Sequence, residues 1–87
     1  MWAVVVDVEI NDVAAAVQGL TDQVVPMVRE TAGFVSAYWI RLDDHRGTSF
    51  VVYETESQAR TGAPPEGASS EGVTMTSVKI GEVLAHA

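Results

Sequence analysis

The segment Trp2-Ala3-Val4-Val5-Val6-Asp7-Val8-Glu9-Ile10-Asn11-Asp12-Val13 changes its hydrophobic period in mid-course, and the remaining elements follow from that change. Through Ile10 the apolar residues alternate: Trp2, Val4, Val6, Val8 and Ile10 share one face, and Ala3, Val5, Asp7 and Glu9 the other. Alternation with β-branched residues predicts a strand with one fully buried face. Asn11 and Asp12 are good N-caps. From Val13 the spacing becomes three or four: Val13, Val17, Leu20, Val24 and Val28 form a stripe that Gln18, Asp22 and Arg29 avoid. This predicts an amphipathic helix of roughly twenty residues, from Asp12 to Ala32. Pro26 lacks an N–H and its ring clashes with the carbonyl of Asp22, so a kink is expected there. Gly33 is the expected left-handed C-cap.

Phe34 to Leu42 and Thr48 to Thr55 are extended and apolar, joined by the polar turn Asp43-Asp44-His45-Arg46-Gly47, and predict a β-hairpin. Pairing Leu42 with Thr48 sets Tyr38 against Val52 and Trp39 against Val51. Thr55-Glu56-Ser57-Gln58 has capping-box spacing and predicts a short helix to about Arg60. Thr61 to Gly72, rich in Gly, Pro and Ser, is expected to be loop. Val73 to Leu84 is the last strand, with a bulge expected at Gly81 and a frayed tail at Ala85-His86-Ala87. The order β-α-β-β-(short α)-β over residues 1–87 predicts one α+β domain. It is a ferredoxin-like plait with a four-stranded antiparallel sheet and a second helix that is short or absent.

Composition narrows what such a domain can do. With 12 Asp/Glu against 5 Lys/Arg the net charge is −7. The cations Arg29, Arg41, Arg46, Arg60 and Lys79 are scattered. Nucleic acid and anionic membrane both ask for concentrated positive charge, so neither is an expected partner. The apolar N-terminus is short, has no basic residues before it and is interrupted by Asp7 and Glu9. It reads as a strand rather than a leader or a membrane span, which makes the cytoplasm the expected compartment. There is no Cys, and His45 and His86 are the only imidazoles, so neither a disulfide nor a metal cluster is expected. No haem, flavin or dinucleotide is expected either. The histidines are badly placed for haem, Met27 and Met75 read as core filler, and no glycine-rich turn joins a strand to a helix.

An 87-residue chain spends about 1.5 kcal/mol of conformational entropy per ordered residue, so a lone monomer has a thin margin. Oligomerisation is the remedy left. The hairpin points the same way: Phe34, Tyr38, Ile40, Phe50 and Val52 share one face, and Val35, Ala37, Trp39, Val51 and Tyr53 the other. Helices on one side cover only one of these, and a second sheet packed on the remaining apolar face makes a homodimer; the competing reading is that the polar positions Asp7, Glu9, Arg41 and Lys79 make that face tolerable in a monomer.

Three segments carry a family resemblance: Val25-Pro26-Met27-Val28-Arg29-Glu30-Thr31-Ala32-Gly33-Phe34-Val35-Ser36-Ala37-Tyr38-Trp39, Val52-Tyr53-Glu54-Thr55-Glu56-Ser57-Gln58-Ala59, and the valine-rich last strand. Together they resemble the dimeric α+β barrel superfamily, in particular its antibiotic-biosynthesis-monooxygenase-like branch. The resemblance implies a homodimer whose two sheets close a barrel. Some members of that superfamily oxidise aromatic polyphenols with molecular oxygen and neither metal nor flavin. Others degrade haem, isomerise lactones or decompose dyes. Active members often carry a histidine soon after the third strand. Here Arg60-Thr61-Gly62 and a proline-rich loop stand in that place, and the second helix is cut down.

Trp39 and Tyr53, with Val51 and Ala37 beside them, are the candidate ligand-binding set. The competing reading makes the two aromatics filler of a sheet–sheet core. Tyr38 reads as core with its hydroxyl at the rim. Arg41 is a candidate holder of a phenolate or carboxylate, against a solvated strand-end charge. Glu54 is a candidate base, against a salt-bridge partner. His45 reads as a solvated turn residue. Two functional classes stay open, with no catalytic constellation to choose between them. One is a dimeric module that binds a small hydrophobic or aromatic ligand, or a partner. The other is a cofactor-independent monooxygenase acting on a small aromatic substrate.

Overall fold

In the computed structural model, which describes residues 1–70 and 72–87, β1 (Trp2–Ile10) forms the middle of the sheet. It pairs antiparallel with β3 (Arg46–Tyr53) on one side and with β5 (Val73–Glu82) on the other. β2 (Phe34–Arg41) lies outside β3, and β4, the two-residue Ser69–Ser70, outside β5, giving the order β2-β3-β1-β5-β4. Four long antiparallel strands therefore carry the sheet, an order compatible with a ferredoxin-like fold. β1 suits the centre because it has neither Gly nor Pro and presents Val4 and Val6 fully to the core.

The long helix starts where the period changes. The Asp12 carboxylate accepts the Ala15 N–H at 3.0 Å and caps α1 (Val13–Gly19). The expected kink at Pro26 takes a definite form upstream of it. Leu20–Val24 is a π-helical turn, in which the Val25 N–H reaches the Leu20 carbonyl, and α2 (Val25–Arg29) follows. Widening the turn is the way a helix accepts a residue that cannot donate to Asp22 and would press on its carbonyl. The helix ends three residues before Ala32. Glu30 and Thr31 donate to Met27 and Val28, and the Thr31 hydroxyl also donates to the Val28 carbonyl at 2.6 Å. Gly33, at φ +78°, turns the chain into β2, and a Cβ there would collide with the Gln58 side chain.

The hairpin turn is tighter than its composition implies. The Asp43 carboxylate accepts both the His45 and Arg46 N–H groups at 2.8 Å. β3 consequently begins at Arg46, and the register slides by two from the expected one: Tyr38 lies opposite Phe50 and Trp39 opposite Ser49. A slide of two leaves every side chain on its own face. A bulge between Phe34 and Ser36 does not. Phe34 moves opposite Tyr53 and packs on the core, while Val35 is exposed, the reverse of the grouping drawn from simple alternation.

α3 (Glu56–Gly62) has the full capping box: Gln58 N–H donates to the Thr55 hydroxyl, and Thr55 N–H to the Gln58 amide oxygen, each at 3.2 Å. It runs two residues past Arg60, and its Ala59 is completely buried. Part of the loop expected over 61–72 is thus helix and part is β4, which folds back on the start of β5; Glu71 lies outside the described residues. Gly81 pairs regularly with Ala3. The bulge in β5 lies instead opposite Asp7 and Val8, where the Thr76 hydroxyl donates to the Asp7 carbonyl. β5 ends at Glu82 rather than Leu84.

Val4, Val6, Val51, Tyr53 and Ala59 form the core between the sheet and the helices, and Trp39, Ala37, Val28 and Met75 pack against it. Trp39 and Tyr53 thus face helices and not a second sheet, which corrects their placement in a sheet–sheet core. The opposite face carries Ala3, Val5, Ile40, Phe50, Val52 and Tyr38, the last 68% exposed. Tyr38 is therefore a surface residue and not core.

Candidate ligand cleft between the long helix and the sheet

The side chains that β1 and β3 raise toward the helix are short. Val4, Val6, Val8 and Ile10 come from β1, and Gly47, Ser49 and Val51 from β3. The helix above them presents Val13, Ala16, Val17, Leu20, Val24, Met27 and Val28. Small residues on the floor and a widened turn in the roof leave a cleft of about 360 Å³. That volume falls at the lower end of the roughly 300–1,000 Å³ of small-molecule sites. Leu20 and Val24 belong to the π-helical turn itself, so the irregularity shapes the roof of the cleft. Met27 lines the rim and is 65% exposed, an apolar side chain at the mouth rather than core filler.

Trp39 and Val51 line the cleft, and so does Tyr53, only 1% exposed. The Tyr53 hydroxyl lies 3.2 Å from that of Thr31. Because the Thr31 proton is committed to Val28, the Tyr53 O–H donates and Thr31 accepts. Tyr53 is thereby fixed from one side by Thr31 and from another by Gly62, where a Cβ would collide with the same hydroxyl.

Arg41 stands on the wall at the end of β2. Its Nη2 donates to Asp44 Oδ1 at 2.6 Å and its Nε to the Asp43 carbonyl at 3.2 Å, so the hairpin turn holds the guanidinium. Ala37 lies opposite Val51 and packs on the core without reaching the cleft wall. Glu54 is exposed beyond the end of β3, its N–H bonded to the Gly33 carbonyl, and does not line the cleft. The structure thus brings Trp39, Tyr53, Val51 and Arg41 together and leaves Glu54 and Ala37 aside. His45 is exposed in the turn.

Among the described residues, no carboxylate or imidazole lines the cleft, and Arg41 is its one charged wall residue. No group of three or more His, Asp or Glu among them could hold a metal ion. The perturbed acid lies outside the cleft. Asp43 is held below its ordinary value by the backbone N–H of His45, reinforced by the N–H and charge of Arg46. Ser49 escaped notice in the sequence although a signal was present: a hydroxyl stands in the inward series Gly47, Ser49, Val51, Tyr53, between two apolar neighbours on the adjacent strands. No helix among the described residues is long and apolar enough to cross a membrane. Comparison with family models, with curated proteins and with solved structures found no match to this chain.

Proposed function

We propose that this protein is a small binding module that takes a compact, hydrophobic ligand into the cleft between its long helix and its sheet. The observation that carries the reading is an apolar cavity of about 360 Å³ walled by Val6, Leu20, Val24, Trp39 and Val51. Oxygenation of an aromatic substrate without a cofactor asks for a proton acceptor beside that substrate. The cleft offers no carboxylate or imidazole for that role among the described residues, which favours binding over catalysis. A titration with ethylbenzene, followed by NMR, tests the reading. Saturable shifts confined to the residues around Val6, Leu20, Val24 and Val51 are expected. Shifts on the opposite face, or none up to the solubility limit, would refute it.

The second part of the reading is self-association. The open face groups Tyr38, Ile40 and Phe50 with Val5 and Val52, and a continuous apolar patch of that kind marks an interaction surface. A second copy of the same face covers it in a two-fold homodimer, the geometry of the dimeric barrel that the chain resembles. Sedimentation equilibrium at micromolar concentration is expected to give twice the 9.3 kDa of one chain.

A further inference from the structure

Ser49 sits at the middle of the helix-facing side of the sheet, on β3, with Val6 of β1 opposite it on one side and Trp39 of β2 on the other. It is only 7% exposed and lines the cleft. Its hydroxyl forms no hydrogen bond with any described residue, whereas the other wall hydroxyl that is deeply buried, Tyr53, has its partner in Thr31. Yet no sealed side-chain nitrogen or oxygen among the described residues lacks a partner, so the Ser49 oxygen is not sealed. Ser49 lines the cleft, which is the space its hydroxyl faces from the helix side of the sheet. An oxygen open to the cleft pairs with whatever occupies it, and a ligand that shuts solvent out without offering a partner leaves that oxygen unpaired at a cost.

The cleft's other polar groups are committed. The Tyr53 proton goes to Thr31, the Thr48 hydroxyl donates to the Val6 carbonyl at 3.2 Å, and the Arg41 guanidinium is paired with Asp44 at 2.6 Å and with the Asp43 carbonyl. A carboxylate ligand would find the single cation of the wall already neutralised by Asp44 and would enter a chain of net charge −7. A neutral ligand meets neither obstacle. We infer that Ser49 is the specificity-determining contact of the cleft, and that the ligand is a compact apolar molecule carrying one neutral oxygen, an alcohol or a ketone, that hydrogen-bonds to the Ser49 hydroxyl. A serine hydroxyl both donates and accepts, so it serves either oxygen.

The inference rests on the binding reading above, and its test separates the two. Dissociation constants for ethylbenzene, benzyl alcohol, acetophenone and benzoate are measured by NMR titration on the wild-type protein and on Ser49→Ala. Ser49→Ala is expected to weaken benzyl alcohol or acetophenone about tenfold and to leave ethylbenzene unchanged or tighter, the signature of one lost hydrogen bond. Whichever of the two oxygen probes responds identifies the oxygen as hydroxyl or carbonyl. Equal effects on all probes, or none, overturn the assignment of Ser49 while the cleft reading stands. Failure of ethylbenzene to bind either protein overturns both. A comparison on the wild type alone keeps the charge argument independent of the variant's folding. Benzyl alcohol is expected to bind at least about tenfold more tightly than benzoate, and the reverse order overturns the neutral-ligand assignment.

Discussion

Tyr53 shows how much of a site can depend on a residue with no side chain. Its ring is enclosed by the core, its hydroxyl is held by Thr31, and Gly62 leaves the space that hydroxyl occupies. Tyr53→Phe removes one hydrogen bond and is expected to cost about 1 kcal/mol. Gly62→Ala drives a Cβ into the hydroxyl and is expected to cost about 1–3 kcal/mol by overpacking. In the double variant the oxygen is gone but the ring carbon Cζ still lies 2.6 Å from the added Cβ, so only part of the clash is relieved and the losses should add incompletely. Urea denaturation of the three variants measures this, and strict additivity would show that the two residues do not share that space. At this scale the sequence was partly legible. Tyr53 and Trp39 announce themselves as large aromatics on one face of a hairpin. Ser49 and Gly62 do not, because their value lies in what stands around them.

At the scale of elements, the hairpin and the long helix each owe their shape to one residue. In the hairpin, Asp43 accepts two backbone N–H groups, and these hold its pKa below the ordinary 3.8. The unfolded chain therefore takes up this proton at higher pH than the folded one. The stabilisation is fully present above the ordinary value and is lost as the pH falls through the lower, folded one. A carbon-detected titration of the carboxyls is expected to place Asp43 below the ordinary value of an aspartate. Amide exchange at His45 and Arg46 should gain relative to the sheet once Asp43 is protonated. A midpoint at or above the ordinary value would mean that the two N–H groups do not clasp the carboxylate in solution. In the helix, Pro26 cannot donate to Asp22, and the turn before it opens. Pro26→Ala is expected to raise stability by about 1–3 kcal/mol as the missing donor is restored. If the turn closes, Leu20 and Val24 move and binding in the cleft weakens. A melting curve and an ethylbenzene titration on the variant read the two effects together. A gain in stability with unchanged affinity would separate the π-helical turn from the cleft.

Over the whole molecule, the sheet has two apolar faces in different surroundings. The inner one meets the helices and encloses the cleft, and the outer one lies open with Tyr38 at 68% exposure. Two substitutions tell them apart. Trp39→Ala removes a partly buried aromatic from the inner face. It should cost up to about 3 kcal/mol and abolish ligand binding while leaving self-association intact. Tyr38→Glu places a charge on the outer face. It should break the dimer with little direct effect on the cleft, as sedimentation and the ethylbenzene titration together would show. If Trp39→Ala disrupts the dimer selectively, the inner face and not the outer one is where two copies meet.

The order of the four long strands and their helices, the helix start at Asp12, the capping box at Thr55 and the identity of β1 were readable from the chain, because period, caps and breakers are local properties, whereas β4 was not. So was the surplus of apolar surface on the hairpin. What the chain could not disclose depended on pairing. The two-residue slide in register came from Asp43 closing the turn, and the bulge after Phe34 then exchanged Phe34 and Val35 between faces. A pattern of period two is unchanged by the first event and inverted locally by the second, so composition alone does not distinguish them. The cleft is a tertiary property in the same sense. It exists because short side chains of β1 and β3 lie under a helix whose turn is widened at Leu20–Val24, and no one of those segments contains it.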